Sequence, residues 1–195
     1  MYVVPLVVAA YLCGALPTGV WVGRLAGVDV QRSGSGNIGA TNVARTVGGR
    51  AAIVTLVGDI TKGVVPVLVA RALDVPIWVV AAVGVGAFLG HIYSVFLRFS
   101  GGKGVATAFG VFLALAPLAA AGSVAVFFLV ALPTRYVSLA SMCAAAALPG
   151  LAALFGYPQP VRLAGLLIAA FVILRHRANW ERLRRGVEPR FGLKR

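Results

Sequence analysis

GVATAFGVFLALAPLAAAGSVAVFFLVALPT, Gly104 to Thr134, runs 31 residues without a charged side chain. As one helix it would be ~46 Å long, too long for a single ordinary crossing of a ~30 Å hydrocarbon core. Pro117 and the Ala121-Gly122-Ser123 stretch interrupt it. The run therefore reads as two short segments, about Lys103 to Ala116 and Leu118 to Leu132. That division decides the topology, because it sets the side on which the chain ends.

Working outward, Val75 to Leu97 is a span, uncharged apart from any proton on His91. Ala51 to Ala70 is another, unusual in holding Asp59 and Lys62. Met1 to Gly23 carries no formal charge, and the first cation, Arg24, follows the apolar stretch. The basic start of a signal peptide is missing, and the asymmetry puts the N-terminus outside and Arg24 inside. On the other flank, Tyr136 to Gly156 is a span. Leu163 to Leu174 is a short one, with Arg162 and Arg175 placed to snorkel from its ends.

One helix in 104–134 gives six spans and an Arg-rich tail on the N-terminal side; two give seven and the opposite side. The excess of cations in cytoplasmic loops selects between them. With seven, the inside positions are Arg24, Arg32, Arg45, Arg50, Arg98, Lys103, Arg135, Arg175, Arg177, Arg182, Arg184, Arg185, Arg190, Lys194 and Arg195, 15 of the 18 Lys and Arg. Arg71 and Arg162 lie outside, and Lys62 is within a span. Six spans would divide the cations between the two sides. The expected fold is thus all-α and polytopic, with seven transmembrane helices, some short, an outside N-terminus and a cytoplasmic C-terminus. No internal repeat divides residues 1–195, which read as one integral membrane domain.

Composition agrees. Of 195 residues 60% are hydrophobic, with 18 Lys+Arg against 5 Asp+Glu and a net charge of +13; mean hydropathy is +0.94. A nucleic-acid binder could carry the charge but not the long uncharged runs, and a soluble enzyme would need more polar surface. Disorder, a disulfide scaffold and a coiled coil are also excluded. Cys13 and Cys143 fall in apolar spans and read as inert buried thiols without metal-ligand spacing.

Seven-span parity brings three polar segments to one side. In Asp29 to Arg45, Gly34, Gly36 and Gly39 let the backbone turn its N–H groups toward an anion. Ser35, Asn37, Thr41 and Asn42 add neutral donors, and Arg45 a planar fork suited to phosphate. The plainer reading is a flexible polar loop. The second segment, Ser100 to Thr107, superficially resembles a nucleotide P-loop, but Gly104 replaces the required Ser/Thr. A Gly101-Gly102-Lys103-Gly104 turn entering a helix is still an anion cradle, or else an interfacial lysine. In the third, His176 to Glu188, Arg182, Arg184 and Arg185 read most simply as a headgroup anchor. His176 and Asn179 differ, standing at i, i+3 beside the membrane boundary.

Asp59 and Lys62, three apart on one helix, can pair, either structurally or within a site. His91 precedes the second polar segment by about three helical turns. Gly19-x-x-x-Gly23 and Gly86-x-x-x-Gly90 read as close helix contacts. The polar set is rich in cations and poor in carboxylates, suiting a phosphate-bearing ligand beside an apolar interior that accepts an acyl chain. Asp29, Asp59, Asp74, Glu181 and Glu188 are too scattered for metal-dependent phosphotransfer.

These segments resemble those of the bacterial membrane acyl-phosphate:glycerol-3-phosphate acyltransferases, the PlsY type. The resemblance runs through nearly the whole chain. It rests on Gly34 to Asn42 with Arg45, Asp59 to Gly63, Gly90-His91 before Phe99 to Gly104, Thr134 to Ser141, and His176 to Asn179 with Gly186 to Glu188. Ser100 departs, occupying a position often basic in the family. The resemblance implies acyl transfer from acyl phosphate to the 1-hydroxyl of glycerol 3-phosphate at the cytoplasmic face of the bacterial inner membrane. Lysophosphatidic acid and phosphate would result, with membrane lipids as surroundings and no cofactor, metal or nucleic acid. No feature calls for an obligate protein partner.

Acyl phosphate is already activated, so positioning and charge stabilisation can suffice. On this reading Ser35, Asn37, Thr41 and Arg45 hold the acyl phosphate, and Lys103 with its flanking glycines holds glycerol 3-phosphate. His176 and Asn179 orient the hydroxyl or stabilise the oxyanion. The catalytic set is Ser35, Arg45, Lys103, His176 and Asn179. Gly34, Gly36, Asn37, Gly39, Thr41, Asn42, Gly101, Gly102, Gly104 and Ser141 bind substrate, and Asp59, Lys62, His91 and Glu188 support, Glu188 by pairing with a nearby Arg. Two other classes compete. A carrier for a phosphorylated metabolite explains Asp59 and Lys62 but commonly has paired repeats. A basic membrane scaffold would not need the Gly-Ser-Gly-Asn loop.

Overall fold

The computed structural model describes residues 2–192. Met1, at the head of the first expected span, and the tail cations Lys194 and Arg195 lie outside the described residues. Those described form two compact units that divide after Leu115, and among them there is no strand.

The first unit contains α1 (Val3–Ala15), α2 (Thr18–Leu25), α3 (Ala40–Thr46), α4 (Gly49–Ala72), α5 (Ile77–Ile92), one turn of 3-10 helix (Val95–Leu97) and α6 (Val105–Leu115). The second contains α7 (Pro117–Thr134), α8 (Val137–Leu154), α9 (Gln159–Arg175) and α10 (Arg177–Arg184). The uncharged run from 104 to 134 is indeed two helices, parted at Ala116 (φ −150°, ψ 73°), one residue before Pro117. The break orphans the last carbonyls of α6, and Arg71 Nη2 donates to that of Leu115 at 2.8 Å.

The first span differs from expectation. It is not one helix but two, parted at Leu16-Pro17. Pro17 cannot donate to the carbonyl four residues back and pushes Leu16 into an extended conformation (φ −55°, ψ 121°). Two carbonyls at the break acquire side-chain partners from other elements. Ser94 Oγ donates to Ala15 O at 2.6 Å, and Lys62 Nζ donates to Leu16 O at 2.8 Å.

Small residues set the helix spacing in the first unit. A Cβ on Gly63 of α4 would meet the backbone of Thr107 and Gly110 in α6, and one on Gly110 would meet the carbonyl of Ile60. Gly14, Gly86 and Gly90 do the same between α1 and α5, so the Gly86-x-x-x-Gly90 pair is a close helix contact. Gly19 and Gly23 instead face the loop beyond α2, at Ile38 O and Val30 Cγ1, which corrects their reading as a helix-helix contact. α5 is the central helix: 67% of the Ile77–Leu97 window is buried, against 28% for Gly49–Ala72. In the second unit α8 packs on both α7 and α9.

Among the described residues five stretches are long and apolar enough to cross a bilayer: Val3–Leu25 taken through its break, Gly49–Ala72, Ile77–Leu97, Pro117–Thr134 and Val137–Leu154. α6, with 11 residues, and α9, with 17, are shorter. Ile53, Val57, Leu68, Leu129, Leu132, Leu163 and Leu166 point outward and exposed. So much large apolar surface is what lipid contact requires, and the protein is an all-helical membrane protein.

The cysteines are half-buried rather than buried. Cys13 has a neighbour that the sequence does not announce. Pro66 inside α4 removes the N–H that would serve the Lys62 carbonyl, and the Cys13 thiol approaches that carbonyl at 4.0 Å.

Candidate active site

Three groups of predicted residues assemble, two in the first unit and one in the second. The loop between α2 and α3 is ordered from beneath. Val20, Val30, Ile38 and Val43 form a buried cluster, flanked by Val22, Val28, Val47 and Leu97. Above it Asn42, 2% exposed, uses its whole amide on the loop. Its Oδ1 accepts from Ser35 N at 2.8 Å, and Nδ2 donates to Val30 O at 3.1 Å and Ser33 O at 3.0 Å. Gly34 must be glycine: φ is +61° and a Cβ would strike Asn42 Oδ1. Gly36 turns likewise (φ +68°), and Asn37 Oδ1 accepts from Gly39 N at 2.9 Å.

Asn42 is thus the loop's organiser. Asn37, half-buried, uses its Oδ1 on its own loop and keeps its Nδ2 side for other partners, whereas Ser35, Thr41 and Arg45 are exposed. The expected polar loop is real, but it is a built platform rather than a flexible segment.

The second group is a buried polar chain. Asp59, Lys62 and His91 are 2%, 4% and 3% exposed. Lys62 Nζ lies 2.8 Å from Asp59 Oδ1, the i, i+3 pair expected on α4. Thr18 Oγ1 donates to the same oxygen, and His91 Nδ1 stands 3.7 Å from it.

Beyond His91 the chain does not continue as helix. α5 ends at Ile92, the 3-10 turn follows, and Arg98 and Phe99 adopt left-handed conformations (φ 51° and 62°). The chain thereby returns on itself: Gly101 N donates to Ile92 O at 3.3 Å, and Gly102 N to His91 O at 3.1 Å. The expected separation of three helical turns between His91 and the glycine segment is replaced by direct contact. Gly101 and Gly102 are buried, Lys103 is half-buried, and Gly104 (φ +81°) lies against Phe88 and leads into α6.

In the second unit the chain kinks at His176 (φ −97°, ψ 7°), between α9 and α10. His176 Nδ1 lies 2.7 Å from Val172 O. A carbonyl only accepts, so Nδ1 carries a proton and donates this bond. Gly186 (φ +69°) reverses the chain after α10 and brings Glu188 back. Glu188 Oε1 accepts from Ser138 Oγ at 2.7 Å and Asn179 Nδ2 at 2.6 Å, and Oε2 from Arg182 Nε at 2.7 Å. Burial works to raise this carboxyl. The Ser138, Asn179 and Arg182 bonds, with the Arg182 charge, outweigh it and hold Glu188 below its ordinary value. Farther along, Arg190 Nε donates to Tyr136 Oη at 3.1 Å, and Phe191 N donates to Arg135 O at 3.0 Å.

Glu188 pairs with an arginine as expected. That arginine is Arg182, which sequence alone groups with Arg184 and Arg185 as a headgroup anchor. Ser141, buried, donates to Val137 O one turn back at 2.8 Å. Ser138 was missed. It lies in the same quoted stretch and on the same helix face as Ser141, and periodicity cannot rank the two. Thr18 and Ser94 were missed as well, because their partners are 41 and 79 residues away. Among the described residues no group of His, Cys, Asp and Glu could hold a metal ion.

Outward-facing apolar helices and ordered polar motifs that carry exposed Arg and Ser define an integral membrane protein. The chain belongs to the glycerol-3-phosphate acyltransferase family, whose model matches residues 4–186. It is 53% identical to the glycerol-3-phosphate acyltransferase of Geotalea daltonii over 187 residues, 95% of this chain and 96% of that one. The Geobacter sulfurreducens enzyme of the same name is 54% identical over the same shares. Among solved structures it is similar to PlsY (YgiH), described as an integral membrane glycerol 3-phosphate acyltransferase, in its glycerol 3-phosphate form. The TM-score there is 0.94 at 42% identity, covering 98% of this chain and 96% of that one. A lysophosphatidic acid form of PlsY gives a TM-score of 0.92. The protein is therefore an acyltransferase, and the carrier and scaffold readings fall away.

Proposed function

We propose that the protein transfers a fatty acyl group from acyl phosphate to the 1-hydroxyl of sn-glycerol 3-phosphate. The hydroxyl oxygen attacks the acyl carbonyl carbon, the bond from that carbon to the phosphate oxygen breaks, and the hydroxyl proton leaves with the phosphate. Lysophosphatidic acid and inorganic phosphate are formed, the first acylation of phospholipid synthesis. The donor is already activated, so the reaction requires no enzyme nucleophile, metal or cofactor.

The observation that carries this reading is the loop clamped by Asn42, which turns Ser35, Thr41 and Arg45 outward while its own polar groups are satisfied beneath. An unsatisfied loop would collapse onto these groups, whereas a satisfied one keeps them for a ligand. In this proposal Ser35, Asn37, Thr41 and Arg45 with nearby N–H groups hold the acyl phosphate. Lys103 and the backbone of Gly101, Gly102 and Gly104 hold glycerol 3-phosphate. His176 accepts the hydroxyl proton's hydrogen bond at Nε2, and Asn179 orients the same group.

The enzyme acts as one domain over 1–195, with seven spans, an outside N-terminus and the reaction at the cytoplasmic face of the bacterial inner membrane. Family membership extending across both compact units supports the single domain. The test is purified protein in detergent with palmitoyl phosphate and glycerol 3-phosphate. Lysophosphatidic acid and phosphate should appear in equal amounts. Folded protein that releases neither, yet acylates glycerol 3-phosphate from a thioester, would overturn the donor assignment.

A further inference from the structure

We propose that His91, steadied by Asp59, is a positioning residue for Lys103 and thereby for glycerol 3-phosphate. The inference rests on the proposed role of Lys103, but it arises from a different part of the molecule. His91 lies on α5, ten residues before the glycine turn, in a span where no substrate group is expected. Two contacts of its own and one of the next residue tie it to that turn. Its carbonyl accepts the N–H of Gly102 at 3.1 Å, and the next carbonyl, Ile92 O, accepts that of Gly101 at 3.3 Å. Its ring occupies the volume beside Gly102: an added Cβ there would strike Nε2, with Cε1 at 3.0 Å and Cδ2 at 3.2 Å as the next nearest atoms.

Asp59 faces the ring electrostatically rather than through a hydrogen bond: Nδ1 stands 3.7 Å from Asp59 Oδ1, and that oxygen is fixed by Lys62 at 2.8 Å and by Thr18. Asp59, Lys62 and His91 are almost fully buried, where the carboxylate's field on the ring is little screened by water. Lys103 follows Gly102 directly, so the height of the glycine backbone above the imidazole fixes where the ammonium leaves the chain. A lysine is a point charge on a flexible stem, and anchoring the stem's root restricts it. Glycine at 102 is thus dictated by the ring below, not by the substrate above.

The experiment uses the full-length protein in detergent, with Gly102→Ala, His91→Ala, and the two combined. Gly102→Ala should raise KM for glycerol 3-phosphate about tenfold or more and leave KM for palmitoyl phosphate within about twofold. In the His91→Ala background the methyl enters the vacated ring space. There Gly102→Ala should cost less than about twofold beyond His91→Ala alone. Asp59→Asn should shift the glycerol 3-phosphate KM in the same direction as His91→Ala. Multiplicative effects of Gly102→Ala and His91→Ala, or an equal rise in both KM values, would overturn the proposal.

If Gly102→Ala yields no folded protein, recovery of the folded peak by added His91→Ala supports the contact, and failure to recover it counts against. The same comparisons are read by equilibrium binding of radiolabelled glycerol 3-phosphate, which needs no acyl donor. A wrong donor assignment therefore leaves this test intact, and wild-type protein that binds no glycerol 3-phosphate overturns it.

Discussion

The ammonium of Lys62 donates to the carbonyl of Leu16 across 46 residues of sequence. It thereby joins the break in the first span to Asp59 on α4. Lys62→Met should remove that bond and strand the Asp59 carboxylate in a site where it is 2% exposed. Breaking one side of a buried pair costs about 3–5 kcal/mol. Thermal unfolding in detergent should show a large fall in Tm, and Lys62→Met with Asp59→Asn should recover part of it. No recovery would mean that packing, not the orphaned charge, sets the cost.

Asn42 and Ser35 are expected to separate stability from activity. Asn42→Ala deletes three hydrogen bonds of a buried amide and should lower stability by about 2–3 kcal/mol. Ser35 is exposed, and only its backbone is used by the loop. Ser35→Ala should lower kcat/KM with Tm unchanged, and Lys103→Ala should lower it about a hundredfold or more. Paired turnover and unfolding measurements check both; an unstable Ser35→Ala would contradict the platform.

Two glycines in similar helical settings should respond differently to alanine. At Gly110 the added Cβ would run into the backbone of Ile60, which cannot give without separating α4 from α6. At Gly122 the nearest atom is Leu151 Cδ2, a side-chain tip at 3.0 Å. Gly110→Ala should cost about 1–3 kcal/mol by overpacking, and Gly122→Ala little. Unfolding of the two variants in parallel decides it.

The tail carries a pH dependence of definite sign. Glu188 is held below its ordinary value, so the unfolded chain takes up its proton at a higher pH than the folded one. Its contribution is fully present above the ordinary carboxylate range and is lost as pH falls through the depressed folded value. Wild-type Tm should therefore exceed that of Glu188→Gln at neutral pH, and the two curves should converge in acid. Ser138→Ala should narrow the gap. A constant difference at all pH values would exclude the carboxylate's charge as the cause.

Hydropathy and charge made the helices legible, including the division before Pro117, because lipid imposes a length on each apolar segment. They did not reveal the break at Leu16-Pro17, since a hydropathy sum is indifferent to one missing hydrogen bond. They placed Asp59 beside Lys62 because i, i+3 is local. They could not bring Ser94 to Ala15 or Ser138 to Glu188, whose meeting depends on how the helices pack. The glycine turn was visible as composition. Its return onto His91 was not, because Arg98 and Phe99 adopt left-handed backbone that non-glycine residues seldom signal.

The cluster of Val20, Val30, Ile38 and Val43 under the first polar loop has a consequence for how such a site can change. Shape is set by side chains that face inward, and chemistry is offered by Ser35, Thr41 and Arg45, which face outward. The two sets share no position. Outward residues can be exchanged one at a time without refolding the loop, whereas a change beneath alters every outward group at once. The groups the loop presents are therefore open to stepwise variation here, and loop geometry is not.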